Sequence, residues 1–159
     1  MRFWFDTEFI EDGKTIDLMS IGVVCEDGRR YYAELEGCNY VVASDWVWEN
    51  VIPHLSGIKT NRQQVAADLI DFMGDEPEIW AWYADYDWVA LCQLFGTMMD
   101  LPNGWPMYCR DVKQLADDKG NPELNSDNPK PHNALEDAIE CRARWRVLQE
   151  YPTIERSAQ

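Results

Sequence analysis

Two acids stand two residues apart at the end of an aromatic run, Phe3-Trp4-Phe5-Asp6-Thr7-Glu8. On an extended strand, residues i and i+2 leave by the same face. Two carboxylates about 4 Å apart repel by roughly 4 kcal/mol at an effective dielectric of about 20, and a cation between them removes that cost. A third acid, Asp87, lies at the start of a helical stretch, where the helix dipole favours negative charge. Asp85 competes with it for an active role. A fourth acid, Asp137, lies inside the last helical stretch, five residues after His132. Histidine is a base near neutral pH. Four carboxylates balance two divalent ions in charge, and an all-oxygen ligand set suits Mg²⁺ or Mn²⁺. Two such ions under an imidazole suit phosphodiester hydrolysis.

These residues need elements to carry them. Residues 2–5, 16–25 and 31–35 read as three strands, with Asp27-Gly28 as a hairpin turn between the second and third. Residues 44–55 predict a helix capped by Ser44 or Asp45, and 61–73 a cleaner one capped by Asn61 and stopped by Gly74. A strand over 78–83, a helix over 86–95 closed by Gly96, a strand over 107–109 and a helix over 112–118 follow. Residues 120–131 hold three prolines and three asparagines and read as a loop. The last helix spans 133–149. The order predicts a mixed α/β sheet with helices on its faces. Residues 1–150 form its single domain and 151–159 a tail.

Composition narrows the partners. The chain has 159 residues, 29 acids against 14 bases, and a formal charge of -15. A broad basic face gripping a long duplex is excluded as the main design. No apolar run is long enough to span a bilayer, and the acids at positions 6 and 8 argue against a signal peptide. The five cysteines lack Cys-x-x-Cys spacing and read as reduced thiols of a cytoplasmic protein. Arg142, Arg144 and Arg146 are candidate phosphate contacts, set against a plain solvated helix face.

Three motifs, taken in order, resemble the DEDD exonuclease superfamily in its histidine-bearing branch, DEDDh. They are Phe5-Asp6-Thr7-Glu8, the stretch Ala84-Asp85-Tyr86-Asp87-Trp88-Val89-Ala90-Leu91, and His132-Asn133-Ala134-Leu135-Glu136-Asp137-Ala138. Within that branch the chain is most similar to small mycobacterial-type 3′–5′ exoribonucleases and their phage relatives. The resemblance implies a ribonuclease-H-like fold and selects Asp87 over Asp85. It implies metal binding by Asp6, Glu8, Asp87 and Asp137, with His132 as general base. It also implies two Mg²⁺ or Mn²⁺ ions per site and release of 5′-mononucleotides from single-stranded or 3′-overhang RNA.

Thr7 and Phe9 would lie beside the terminal nucleotide. Trp82 and Tyr83 stand where the family has His-Asn and could stack bases together with Phe9. Phe9-Ile10-Glu11 replaces the family's Thr-Thr-Gly. DNA in place of RNA is the alternative substrate, and an acidic binding module that imitates nucleic acid is the distant alternative. No membrane partner is expected, and a homodimer is left open.

Overall fold

Phe3 and Phe5 turn to one side of the first strand, and Trp4, Asp6 and Glu8 to the other, so alternation alone separates core from chemistry. In the computed structural model, residues 1–125 and 128–154 are described. β1 (Arg2–Glu11), β2 (Ile16–Cys25) and β3 (Arg30–Leu35) form an antiparallel meander. β4 (Lys59–Thr60) lies parallel to β3. β5 (Glu78–Ala81) lies parallel to β1, and β6 (Arg110–Asp111) parallel to β5. The sheet order is β4-β3-β2-β1-β5-β6. The helices are α1 (Asp45–Asn50), α2 (Arg62–Met73), α3 (Ala84–Phe95), α4 (Val112–Asp118) and α5 (Ala134–Leu148).

On one face Phe3, Phe5, Ile21 and Val23 pack against Val65 and Leu69 of α2 and Leu91 of α3. On the other, Trp4 and Val24 meet Val112 of α4 and Ala138, Cys141 and Leu148 of α5. Trp4 meets Trp145 edge to face, with ring centroids 5.1 Å apart. Each such large side chain contributes about 1.5–3 kcal/mol on burial. All five cysteines are free. Among the described residues no helix is long and apolar enough to cross a membrane.

Several boundaries differ from the sequence expectation. β1 continues past residue 5 to Glu11, because pairing with the apolar β2 holds the polar segment extended. The expected 44–55 helix stops at Asn50 and gives way to a 3-10 turn over Ile52–His54, where Pro53 has no N–H to continue the ladder. β5 ends at Ala81 rather than 83, and α3 begins at Ala84 rather than 86. The last strand is Arg110–Asp111 rather than 107–109, since only these residues register with Trp80 and Ala81. β4 has no counterpart in the sequence pattern. Across 121–125 and 128–133 the described residues form no helix or strand, and residues 126–127 of the expected loop lie outside the described residues. Of the expected tail, Ile154 donates its N–H to the Asp118 carbonyl at 2.8 Å, and residues 155–159 lie outside the description.

Two local devices set the site. Between β1 and β2 the register slips: Glu8 faces Ser20 but Phe9 faces Leu18, which leaves Met19 as a bulge. Met19 then joins Ile10 and Val51 in a small third core. Gly22, opposite Asp6 in the register, is where the first residues of α5 come against the sheet. A Cβ there would sit 2.3 Å from the backbone of Ala134 and Leu135. Gly22→Ala therefore pushes α5 off the sheet. Its Tm is expected to fall by roughly 5–10 °C, as read by thermal denaturation, and an unchanged Tm would show that α5 gives way freely.

Candidate active site

Asp6 and Glu8 emerge from the middle of β1, on the face that α5 covers. Thr7, between them, points to the opposite face and meets α3. Its backbone N–H donates to Asp87 Oδ1 at 3.0 Å, and its hydroxyl donates to the same oxygen. Asp87 lies in the first turn of α3. Tyr83, just before that helix, adopts left-handed backbone with φ 57°, which turns the chain sharply out of β5. Asp111, the N-cap of α4, ties this corner down by accepting the N–H of Ala84 at 2.9 Å.

The other wall comes from α5 and the segment before it. His132 also has left-handed backbone, φ 65°. Its N–H donates to Asp137 Oδ2 at 2.9 Å. Asn128 donates to the other Asp137 oxygen and to Glu140 Oε2, the latter at 3.1 Å. Asn133 caps α5 through the Glu136 N–H. The Trp46 ring meets the imidazole edge on, at 4.8 Å between centroids. Glu8, His132 and Asp137 each offer one ligand atom, and these atoms lie within 4.8 Å of one another.

The candidate metal, base and base-stacking residues line one open cleft of about 480 Å³: Asp6, Glu8, Asp87, Asp137 and His132, and also Thr7, Phe9, Trp82 and Tyr83. Asp85 is exposed and is not among its lining residues. Phe9 stacks on Tyr86 with centroids 5.7 Å apart and planes 13° apart. Two of the candidate phosphate contacts are engaged elsewhere: Arg142 donates to the Cys25 carbonyl at 2.8 Å, and Arg144 pairs with Glu140 and lies 4.3 Å over the Trp82 ring. Arg146 is exposed, and none of the three lines the cleft.

Sequence reasoning missed Trp46, Tyr86, Glu11 and Asn128. Trp46 sat in a stretch read as a helix with no chemical signal, and Tyr86 was part of the second motif but was given no role. Asn128 sat in the loop, where Asn is common for backbone reasons alone.

The electrostatics are those of crowded buried acids. Burial first, then the charges of Asp87, Glu8 and Asp137, push Asp6 well above the ordinary carboxylate range. Glu8 is raised to about 8 by burial, then by Asp137 and Asp87. Burial also raises Asp87, to about 7, although the two Thr7 donations oppose it. Asp137 is raised by burial and eased by the His132 N–H. A site that resists its own charge in this way is chemically suited to divalent cations.

Comparison with known proteins bears on the family and the fold. The family model for the 3′-5′ exoribonuclease Rv2179c-like domain matches residues 1–149. The 3′-5′ exoribonuclease Rv2179c of Mycobacterium tuberculosis (strain ATCC 25618 / H37Rv) is 44% identical over 156 residues, covering 93% of each chain. The 3′-5′ exoribonuclease MT2234.1 of strain CDC 1551 / Oshkosh matches to the same extent. The solved structure of exonuclease I superposes with a TM-score of 0.66 at 11% identity, covering 94% of this chain and 41% of that one. That likeness bears on the fold, which is ribonuclease-H-like. The match over residues 1–149, together with the mycobacterial identity, shows that the chain belongs to the Rv2179c-like 3′-5′ exoribonuclease domain family.

Proposed function

We propose that this protein is a metal-dependent 3′–5′ exoribonuclease that removes 5′-mononucleotides from single-stranded RNA or 3′ overhangs. The observation that carries the reading is the convergence of Asp6, Glu8, Asp87, Asp137 and His132 on one open cleft, in a chain of this family. Asp6, Glu8, Asp87 and Asp137 would hold two divalent ions, Mg²⁺ or Mn²⁺. When bound, the ions would neutralise the carboxylates and stabilise the attacking and leaving oxygens.

The chain's own residues do the rest. Thr7 holds Asp87 in place through two donations to one oxygen. The His132 imidazole faces the cleft and takes the proton of the attacking water. Its backbone tie to Asp137 and the edge of Trp46 fix its position. Phe9, Trp82 and Tyr83 offer faces on which the terminal bases stack. Five free cysteines fit a reducing compartment, and we place the activity in the cytoplasm.

A 5′-labelled single-stranded RNA incubated with Mg²⁺ should shorten stepwise from its 3′ end. Asp87→Asn should abolish shortening, and His132→Ala should slow it by about 10²–10⁴-fold. A matched DNA oligomer is the comparator. No shortening by the wild type, or equal rates for His132→Ala, would overturn the reading.

The raised acids also set a stability profile. Their folded pKa values lie above the unfolded ones, so the folded state holds more protons between about pH 4.5 and 8. Metal-free protein should therefore lose stability as pH rises through that window. Mg²⁺ should restore several degrees of Tm at pH 8 and little at pH 5, where protons already neutralise the site. Glu8→Gln should raise the Tm in chelator at pH 8 and blunt the response to Mg²⁺. A flat Tm with millimolar Mg²⁺ at pH 8 counts against the site.

A further inference from the structure

Among the described residues, no lysine or arginine lines the catalytic cleft. Its lining includes Asp6, Glu8, Glu11, Asp87 and Asp137. Once metals neutralise the four central acids, stacking and the metals remain to hold substrate, with no cation for the backbone of the upstream strand.

A second groove, of about 500 Å³, contains the lysine and arginine that the cleft lacks. It is lined by Lys14, Thr15, Asn39, Arg62 and Gln93, together with Asp12 and Asp17. The same stretch of β1 separates the two: Phe9 and Glu11 line the cleft, and Ile10 lines the groove, followed by Asp12. α3 also serves both. Tyr86 stands in the cleft and Gln93 in the groove, two turns apart on one helix face, a rise of about 10.5 Å.

The groove's two acids are turned to the protein's own donors. One oxygen of Asp12 accepts from the N–H of Lys14 at 2.9 Å and of Thr15 at 2.7 Å. Asp17 accepts the Asn39 N–H at 2.8 Å and stands 3.9 Å from the Arg62 guanidinium, the outer limit of an ion pair. Among the described residues no acid pairs with the Lys14 ammonium. Lys14 and Arg62 thus present cations in a groove that shares β1 and α3 with the cleft.

We infer that this second groove is a subsite for the phosphodiester backbone of the upstream strand, with Lys14 and Arg62 as its phosphate contacts. The inference rests on the exonuclease reading and extends it: the enzyme takes RNA strands long enough to cross from the Phe9–Tyr86 stack to Gln93, and handles a dinucleotide without this contact. Each phosphate contact with a single strand releases about 0.7 of a counterion. Into about 0.1 M salt that release is worth roughly fivefold in affinity.

The test compares a decanucleotide RNA with a diribonucleotide, using wild type, Lys14→Ala, Arg62→Ala and the double variant with Mg²⁺ present. The ratio of kcat/KM for the decamer to that for the dinucleotide should fall about fivefold for each substitution. The slope of log KM against log salt for the decamer should become shallower by about 0.7 per substitution. Substitutions that depress both substrates equally, or neither, overturn the subsite while leaving the exonuclease reading intact. A wild type that hydrolyses neither RNA overturns both.

Discussion

Everything in the site follows from repulsion among carboxylates that the fold forces together. Asp6 and Glu8 share a strand face because they are two residues apart. Asp137 joins them because α5 comes down directly onto Gly22, where a Cβ would lie 2.3 Å from helix backbone. Asp87 reaches them from the opposite face of β1, held by Thr7. None of these placements is favourable for the acids, as the upward shift of all four pKa values shows. The cost is offset elsewhere, by two apolar faces on one sheet and by the tryptophan pairing behind β1. The arrangement has the form expected where a binding site is built at the expense of stability.

The backbone bears part of the same burden. Among the described residues the left-handed non-glycines are Tyr83, Asn121 and His132, and two of them line the cleft. Such conformations cost on the order of 1–3 kcal/mol each. Tyr83 uses its conformation to break β5 into α3 within two residues, which sets the height of Asp87. His132 uses its own to aim its N–H at Asp137 while its ring meets Trp46.

The main elements of the fold were legible in the sequence. The Asp27-Gly28 turn, the Asn61 and Gly74 caps of α2 and the extent of α4 follow local rules, and local rules hold there. The four acids and His132 were legible as candidates, although residue spacing left Asp85 competing with Asp87 and only the family resemblance chose between them. What escaped was set by tertiary contact. β1 runs on through polar residues because β2 pairs with it. β4 exists as two residues only because β3 is beside it. Asn128 matters through carboxylates 9 and 12 residues away in sequence. Arg142 and Arg144 look like free cations in the sequence, but a carbonyl, a glutamate and an indole occupy them.

The bulge at Met19 separates two regimes along the β1–β2 ladder. On the near side lie Asp6 and Glu8, in strict alternation with the central core. On the far side the pairing resumes one step out of phase and supports the hairpin that carries Lys14. The slip acts as a dislocation in the sheet. Residues added to or removed from the hairpin tip would be taken up beyond it, so the reach of that tip could vary between relatives while the acid cluster kept its spacing.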